Sequence, residues 1–262
     1  VSIVFVLFSP VVGVYETLRD DQGNVRCIKV NDFLSKFPSD TLFDIEHKID
    51  GLSLSATYSH GTLVIAQTRG DGYIGEDVTE NAKHILGLPR HISNSSYYGF
   101  DNIKELEVRC EVYLPFEAFL KINEQRELEN KKLFKNPRNA AAGLLRTKNI
   151  NDMKNAGLCA LIFNIQRVEY LDNTGIKIFD NSHSVGLNVL RNMGFSVVGG
   201  YYCCKQDEII SMIKTIGMVR EKLPYGIDGA VVKIDSLDYR EELGNTAKYP
   251  RWAVAYKYPP DE

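Results

Sequence analysis

A lysine lies between two acidic residues in the segment Glu46-His47-Lys48-Ile49-Asp50-Gly51. A lysine amine is a poor nucleophile at neutral pH because it is protonated, but neighbouring cations or loss of solvent can free it. A carboxylate on each side, and a glycine where the backbone must turn, could present this amine to a phosphorus atom. The Lys-x-Asp-Gly pattern is weak by itself, because a surface turn with a solvated lysine contains it equally well.

Two predicted strands each carry a further lysine beside apolar or small residues. Lys233 points away from the apolar face of its strand, whereas Lys257 shares its face with Ala253 and Ala255. Small side chains beside an inward lysine leave room for a ligand. A lone lysine in a strand usually lies on a solvent-exposed edge, but two such strands in a chain that also carries Lys48 favour a cationic pocket.

A carboxylate and an arginine occupy positions where a nucleotide could be bound. Glu111 lies on the polar face of a strand whose other face is apolar, so it could accept from ribose hydroxyls or hold a metal, or it could pair with Arg109. Arg69 opens the loop Arg69-Gly70-Asp71-Gly72, where glycines allow close backbone approach. This loop is either a hairpin exit or a site at which Arg69 faces a phosphate or ribose.

Residues 131–148 form a basic segment without an acidic residue. Arg138 and Arg146 flank a small-residue turn predicted at 140–143, where one backbone can approach another. Arginine suits phosphate because its planar fork offers paired donors. A run of charge is usually a solvated surface, so the segment is either that or a phosphate-binding region.

Bulk composition sets few limits on function. The 262 residues carry a net charge of −3, which gives no overall attraction to nucleic acid. The five cysteines lack C-x-x-C spacing, which argues against a zinc site or disulfide framework and favours a reducing compartment. The apolar stretch 1–14 is too short to span a bilayer and lacks a basic n-region, so we interpret it as a buried strand or a truncation scar.

The remaining pattern predicts the elements that must position these residues. Strands are predicted at 41–45, 52–58, 63–68, 106–114, 158–168, 195–203, 229–234 and 253–258, with the segment 46–51 at the joint between the first two. A helix is predicted where Val78, Ala82, Ile85 and Leu86 fall on one face. Further helices are predicted at Phe116, Phe119, Leu120 and Asn123, at Val185, Val189, Leu190 and Met193, and over 207–222. A polar loop joins the last two strands. Because strands outnumber helices and short turns join several of them, we expect an α+β fold with mainly antiparallel sheets.

In order and identity, six segments resemble the adenylation domain of the bacterial-type NAD-dependent DNA ligases. The resemblance extends from about Asp44 to Glu262. The segments are Glu46-His47-Lys48-Ile49-Asp50-Gly51, Thr68-Arg69-Gly70-Asp71-Gly72, Leu106-Glu107-Val108-Arg109-Cys110-Glu111-Val112, Asn136-Pro137-Arg138-Asn139-Ala140-Ala141-Ala142-Gly143, Ile227-Asp228-Gly229-Ala230-Val231-Val232-Lys233 and Pro250-Arg251-Trp252-Ala253-Val254-Ala255-Tyr256-Lys257.

The resemblance implies an activity and a fold. Lys48 would attack the phosphorus of the AMP half of NAD, release nicotinamide mononucleotide and form a lysyl-AMP. AMP would then pass to a 5′-phosphate in nicked double-stranded DNA, and the 3′-hydroxyl would displace it, with Mg²⁺ as cofactor. The implied fold is a nucleotidyltransferase (ATP-grasp-like) domain of two subdomains, with the nucleotide in a cleft between antiparallel sheets flanked by helices.

The resemblance also assigns roles to single residues. Glu46 would contact the adenine and Glu111 the ribose, while Lys233 and Lys257 would neutralise charge on the phosphate. Asp50 would orient the nucleophile or assist a divalent metal. Further positions match functional residues of the family. Arg69 would contact the cofactor, and Phe163 replaces the tyrosine that stacks on adenine. The residues that would contact DNA or phosphate are Arg138, Arg146, Arg220 and Asp228.

The chain also departs from the family pattern. We divide it into a divergent segment, 1–40, and an adenylation domain, 41–262, because 1–40 does not match the family's subdomain that binds nicotinamide mononucleotide. The family's OB-fold, zinc, helix-hairpin-helix and BRCT regions would follow residue 262. One alternative is a non-catalytic nucleotide- or DNA-binding remnant. Another is an ATP-dependent ligase or RNA-capping relative, against which the Arg-Gly-Asp-Gly and Asn-Pro-Arg-Asn segments argue. We expect a monomer in the cytoplasm, associated with the nucleoid and without membrane contact.

Overall fold

The computed structural model of the chain describes residues 18–19, 25–26, 28–68, 75–92, 100–171, 179–246 and 249–259. Its strands in chain order are β1 (Leu18–Arg19), β2 (Val25–Arg26), β3 (Phe43–Ile49), β4 (Leu52–Ser59), β5 (Thr62–Thr68), β6 (Ile103–Tyr113), β7 (Cys159–Tyr170), β8 (Gly200–Cys204), β9 (Ile227–Ile234) and β10 (Ala253–Lys257). Its α-helices are α1 (Ile28–Leu34), α2 (Thr79–Ala82), α3 (Phe116–Leu128), α4 (Pro137–Leu145), α5 (Ile150–Lys154), α6 (His183–Asn192), α7 (Ile209–Val219) and α8 (Leu237–Leu243). Short 3₁₀ helices are Phe100–Asn102 and Arg220–Lys222.

Two four-stranded antiparallel sheets make up the framework. The first sheet has the strand order β10-β9-β3-β8, and the second sheet has the order β5-β4-β6-β7. A separate small pair joins β1 to β2. The predicted α+β fold with mainly antiparallel sheets is therefore confirmed.

The chain crosses from the first sheet to the second at Asp50 and Gly51, between β3 and β4. Asp50 N donates to Gly226 O at 2.9 Å, which ties the crossing to the segment before β9. A side chain at Gly51 would collide with the carbonyl oxygen of Val112, so the close packing there requires glycine. The sequence places the whole segment 46–51 at the joint, but β3 continues to Ile49 and only the last two residues turn.

The first sheet has one apolar face. Phe43 and Ile45 of β3 and Ala230, Val232 and Ile234 of β9 are completely buried, in one cluster with Ile209, Ile213 and Ile216 of α7. Alternate residues of a strand face opposite sides, so Asp44, Glu46 and Lys48 of β3 and Lys233 of β9 project from the other face. This alternation separates the core of the first sheet from the groups that could do chemistry.

The second sheet shows the alternation predicted for β6. Leu106, Val108, Cys110 and Val112 are all 0% exposed, while Glu111 lies on the opposite, half-buried face. The inward set belongs to a core shared with helices α2, α4, α5 and α6. Glu111 therefore projects from the face opposite this core.

Helix α1 packs on the first sheet. Val30, Phe33 and Leu34 are 1%, 7% and 4% exposed, and they share a cluster with Phe43 and Ile45 of β3. Part of the segment 1–40 is thus joined to the first sheet by apolar contacts. The domain boundary at residue 40 stays a prediction.

Two loop predictions are wrong, because local capping starts helices there. The small-residue turn predicted at 140–143 lies inside α4. Asn136 accepts from Asn139 N at 2.8 Å as its N-cap, proline follows at the first position, and alanine has the highest helix propensity. The polar loop predicted between β9 and β10 contains α8, which begins after Ser236, whose side chain accepts from Tyr239 N at 3.3 Å.

In three predicted helices, apolar positions of the pattern are exposed. Phe116 and Leu120 of α3 are 43% and 60% exposed. Leu86 is 61% exposed, because α2 ends at Ala82 and the helical spacing does not continue to Leu86. In α6, Val185 is 44% exposed, whereas Leu187 is fully buried. The inward face is shifted because His183, outside the apolar pattern, occupies a buried position at the start of the helix. In the part of the chain that the structure describes, no helix is both long and apolar enough to cross a bilayer.

Candidate active site

Two lysines from different strands share one carboxylate. Lys48, near the end of β3, donates from Nζ to both oxygens of Asp228 at 2.8 and 3.0 Å. Lys257 Nζ of β10 lies 3.4 Å from Asp228 Oδ2. The strand register explains the meeting, because Lys48 pairs with Gly229 and Gly229 pairs with Lys257 across adjacent strands. The three strands therefore bring together the two amines that the sequence places far apart.

Glu111, on the second sheet, interacts electrostatically with Lys48 and Asp228. Burial raises the pKa of Glu111 to about 8, with Asp50 and Asp228 adding to the rise and Lys48 and Arg138 opposing it. These charges interact with Glu111 because the chain crossing at Gly51 packs directly on its side chain. The sequence-based alternatives for Glu111, a ribose or metal contact and a pair with Arg109, stay predictions.

An exposed ion pair lies at the edge of the same cluster. Arg138 Nη1, in the first turn of α4, donates to Asp50 Oδ1 at 3.0 Å, and the two side chains are 56% and 44% exposed. A pair this exposed contributes little stability. Loss of the contact between Arg138 and Asp50 would therefore cost the fold little.

Lys233 lies away from the Lys48 pair. Its Nζ is 2.6 Å from Glu46 Oε2 and donates to Phe163 O at 3.1 Å, and it lies 5.7 Å from the centroid of the Phe163 ring. Lys233 is four residues along β9 from Gly229, roughly 13 Å at the rise of a strand. The structure therefore groups Lys233 with Glu46 and Phe163, in contacts that connect the two sheets.

Glu46 is a buried, ionised carboxylate with two donors. Burial alone would raise the pKa of Glu46, but Lys233 and the hydrogen bond from His183 outweigh burial and lower it to about 2. The second donor, His183 Nε2, is 2.6 Å from Glu46 Oε1. Sequence reasoning missed His183, because it belongs to no motif and its spacing from Glu46 carries no signal.

The other predicted residues contact different parts of the chain. Arg146 pairs with Glu76 before α2. Arg220 donates to Pro259 O at 3.2 Å, and its guanidinium lies 5.7 Å from the Tyr258 ring centroid. Arg69 lies outside the described residues.

A second buried acidic cluster lies beyond Glu46 along β3. Ligand atoms of Asp44, Asp235 and Cys203 lie within 4.8 Å of one another, and Arg240 Nη2 is 3.9 Å from Asp44 Oδ2. Burial raises the pKa of Asp44 to about 8, with Asp235 and Glu46 adding to the rise. A thiol in the set does not suit Mg²⁺, which prefers oxygen ligands. The two carboxyl groups are better described as sharing one proton.

Asp44→Asn is expected to flatten the dependence of stability on pH. The folded chain keeps the Asp44 proton up to about pH 8, whereas the unfolded chain releases it near 3.8, so wild-type stability falls as pH rises through this window. Asparagine has no proton to lose. Thermal melts at pH 6 and pH 8 give the free energy of unfolding at each pH. Its decrease from pH 6 to pH 8 should be smaller in the variant than in wild type by up to about 3 kcal/mol.

The exposed substitution Asp40→Asn serves as the matched control, and its pH profile should follow the wild type. Equal losses of stability in wild type and Asp44→Asn would contradict the shared-proton description.

Comparisons with known proteins show the family to which the chain is similar. A family model for the NAD-dependent DNA ligase adenylation domain matches residues 26–261. The DNA ligase of Acetivibrio thermocellus is 43% identical over 221 residues, which cover 84% of this chain and 31% of that protein. The DNA ligase of Clostridium kluyveri is 41% identical over 238 residues, covering 89% of this chain and 34% of that protein.

The chain thus spans about a third of the length of the curated relatives it matches. Among solved structures, a putative ATP-dependent DNA ligase from Aquifex aeolicus superposes with a TM-score of 0.43 at 14% identity, covering 79% of this chain and 44% of that one. The family match takes in every described strand from β3 to β10, with the Lys48 segment inside it. The chain therefore belongs to the NAD-dependent DNA ligase adenylation domain family.

Proposed function

We propose that this chain transfers AMP from NAD to Lys48, as the first step of DNA ligation. The observation that carries the proposal is the convergence of Lys48 and Lys257 on Asp228, opposite Glu111, where the two sheets join. After deprotonation, Lys48 Nζ attacks the adenylyl phosphorus. The new N–P bond replaces the P–O bond to nicotinamide mononucleotide, which leaves with the electron pair. Asp228 is placed to hold the Lys48 amine and to receive its proton.

Lys257 is the cation best placed to stabilise the phosphate. It is bound to the same carboxylate as Lys48, so charge that develops on the phosphate oxygens would form beside it. Glu111, on the opposite sheet, would accept from the ribose hydroxyls.

The nucleobase would lie toward Glu46. Glu46 and Lys48 are two residues apart on one face of β3, roughly 7 Å along the strand, which suits a base at one end and a phosphate at the other. An ionised Glu46 can only accept hydrogen bonds, so it suits the 6-amino group of adenine. Phe163 contributes an aromatic ring at that end. Lys233 then supports the base site through Glu46, in place of the phosphate role that the resemblance implies.

The residues near Lys48 also fit a magnesium ion whose ligands come partly from the protein and partly from the substrate phosphates. Mg²⁺ is usually bound through one or two carboxylates plus phosphates. Asp50 is 44% exposed, so its carboxylate would hold the ion together with the substrate phosphates. The bound ion would supply charge neutralisation at the phosphates.

The later steps are proposed for the longer protein to which such a domain belongs. NAD-dependent ligase activity on nicked double-stranded DNA would use Arg138, Arg146 and Arg220 for phosphate contacts, and Arg69 for the cofactor. Monomeric action and a cytoplasmic, nucleoid-associated location are proposed on the same resemblance.

Transfer of label from NAD tests the proposal directly. The chain is incubated with Mg²⁺ and NAD that carries ³²P in its adenylyl phosphate, and the denatured protein is separated on a gel. Label on the protein from NAD, and none from α-labelled ATP, is the expected result. Label from ATP alone would support the ATP-dependent alternative. Stabilisation of the melting transition by AMP without any label would support a nucleotide-binding remnant.

A further inference from the structure

A histidine outside all the sequence motifs begins α6 in the protein interior. His183 is 3% exposed and follows the N-cap residue Ser182. Its backbone N donates to Asp235 O at 3.0 Å, and Ser184 N donates to Asp235 Oδ1 at 2.8 Å. Asp235 directly follows β9, so the first turn of α6 is fixed to the strand that carries Lys233.

The His183 side chain reaches the carboxylate assigned to the nucleobase. Its Nε2 is 2.6 Å from Glu46 Oε1, and both side chains are 2% exposed. Lys233 Nζ is 2.6 Å from the other oxygen, Oε2. A carboxylate has about four acceptor positions, so two donors leave further positions on both oxygens. The two donors, on α6 and β9, also prevent the carboxylate from rotating.

His183 is neutral in this environment. Burial lowers the pKa of His183 to about 4, and Lys233 and Arg240 add to the lowering while Glu46 opposes it. A neutral imidazole has one N–H, and the contact with an ionised carboxylate requires that hydrogen on Nε2. His183 thus fixes the direction of the carboxylate without neutralising the charge that makes it an acceptor.

We propose that His183 is a positioning residue that sets the preference of this site for 6-amino over 6-oxo purines. The proposal rests on the adenylation function above, in which Glu46 accepts from the base. With both oxygens held, Glu46 presents lone pairs that can accept from the 6-amino group of a purine. The oxygen of a 6-oxo purine is also an acceptor, so it would form no hydrogen bond with the carboxylate. Without His183, Oε1 loses its partner, the carboxylate can turn, and this selection weakens.

Substrate pairs that differ only in this atom test the proposal. Lysyl-nucleotide formation is measured with NAD and with nicotinamide hypoxanthine dinucleotide, for wild type, His183→Gln and His183→Leu. Wild type should favour NAD by about a hundredfold in kcat/KM. His183→Leu should reduce that preference about tenfold or more, mainly by raising KM for NAD, because base contacts are made equally in ground and transition states. His183→Gln, whose amide N–H can replace Nε2–H, should stay within about threefold of wild type.

The exposed substitution His91→Leu is the matched control and should leave the preference unchanged. An unchanged preference in folded His183→Leu would overturn the proposal. If wild type forms no adduct with NAD, the proposed adenylation function is wrong. If wild type forms the adduct but His183→Leu keeps the same preference, only the role of His183 is wrong.

A measurement on the wild type decides the question if His183→Leu does not fold or does not react. The chain has five histidines, so ¹⁵N-histidine spectra are simple enough to assign with the His183→Gln variant. A neutral ring with the proton on Nε2 between pH 6 and pH 8 is expected. A charged ring or the Nδ1–H form at pH 7 would overturn the proposal.

Discussion

Lys48→Arg is expected to abolish formation of the protein–AMP adduct while the protein stays folded. The guanidinium can keep the contact that Lys48 makes with Asp228 at 2.8 and 3.0 Å. It cannot deprotonate in a protein, so it offers no lone pair to phosphorus. Loss of a covalent nucleophile lowers turnover by several orders of magnitude, here by about a thousandfold or more.

The measurement is the gel assay with labelled NAD, together with a thermal melt of each protein. Lys132→Arg, an exposed change in the basic segment, is the control and should label at the wild-type rate. The adduct of the wild type should be lost in mild acid and survive alkali, as a P–N bond does. Labelling of Lys48→Arg at a rate near that of wild type would rule out this lysine as the nucleophile.

Lys233→Met is expected to destabilise the fold by about 3–5 kcal/mol, because it leaves the buried Glu46 carboxylate without its cation. Lys233 and Glu46 are 4% and 2% exposed, so water cannot replace the lost partner. Methionine has a similar length and fits the space, which limits the effect of a cavity. Denaturant unfolding at pH 7 measures the free energy of unfolding.

The double variant Glu46→Gln with Lys233→Met should recover most of this loss, since a neutral amide can still accept from His183. Lys83→Met breaks the exposed pair with Glu80, whose side chains are 34% and 79% exposed, and should cost less than about 0.5 kcal/mol. Equal costs for Lys233→Met and Lys83→Met would contradict the description of a buried pair.

The acid limb of the stability curve offers a second readout of the same pair. The pKa of Glu46 is lowered from 4.5 to about 2, so its ionised form contributes stability above pH 4.5 that is lost as pH falls toward 2. Removal of the Lys233 charge should reduce that contribution. The free energy of unfolding of Lys233→Met should therefore fall less than that of wild type between pH 5 and pH 3.

Local patterns in the sequence determined much of the framework. Period-two alternation gave the inward face of β6, since the pleat sends successive side chains to opposite sides. Six segments, among them the lysine segment and the two later lysine-bearing strands, also indicated the family to which the chain belongs. Patterns failed where a cap residue outweighed them, as at Asn136, which caps the helix α4 that includes the turn expected at 140–143.

Only the tertiary structure decided which charges meet. The register of β10, β9 and β3 places Lys257 beside Lys48 but keeps Lys233 four residues away along β9, at Glu46. Strand register depends on long-range backbone pairing that residue types do not encode locally. His183 gave no signal for the same reason, because its contact with Glu46 joins positions 137 residues apart in the chain. The sequence by itself determined which chemical groups are present, whereas the packing of the sheets decided their partners, because ion pairs act over a few ångströms of space and not along the chain.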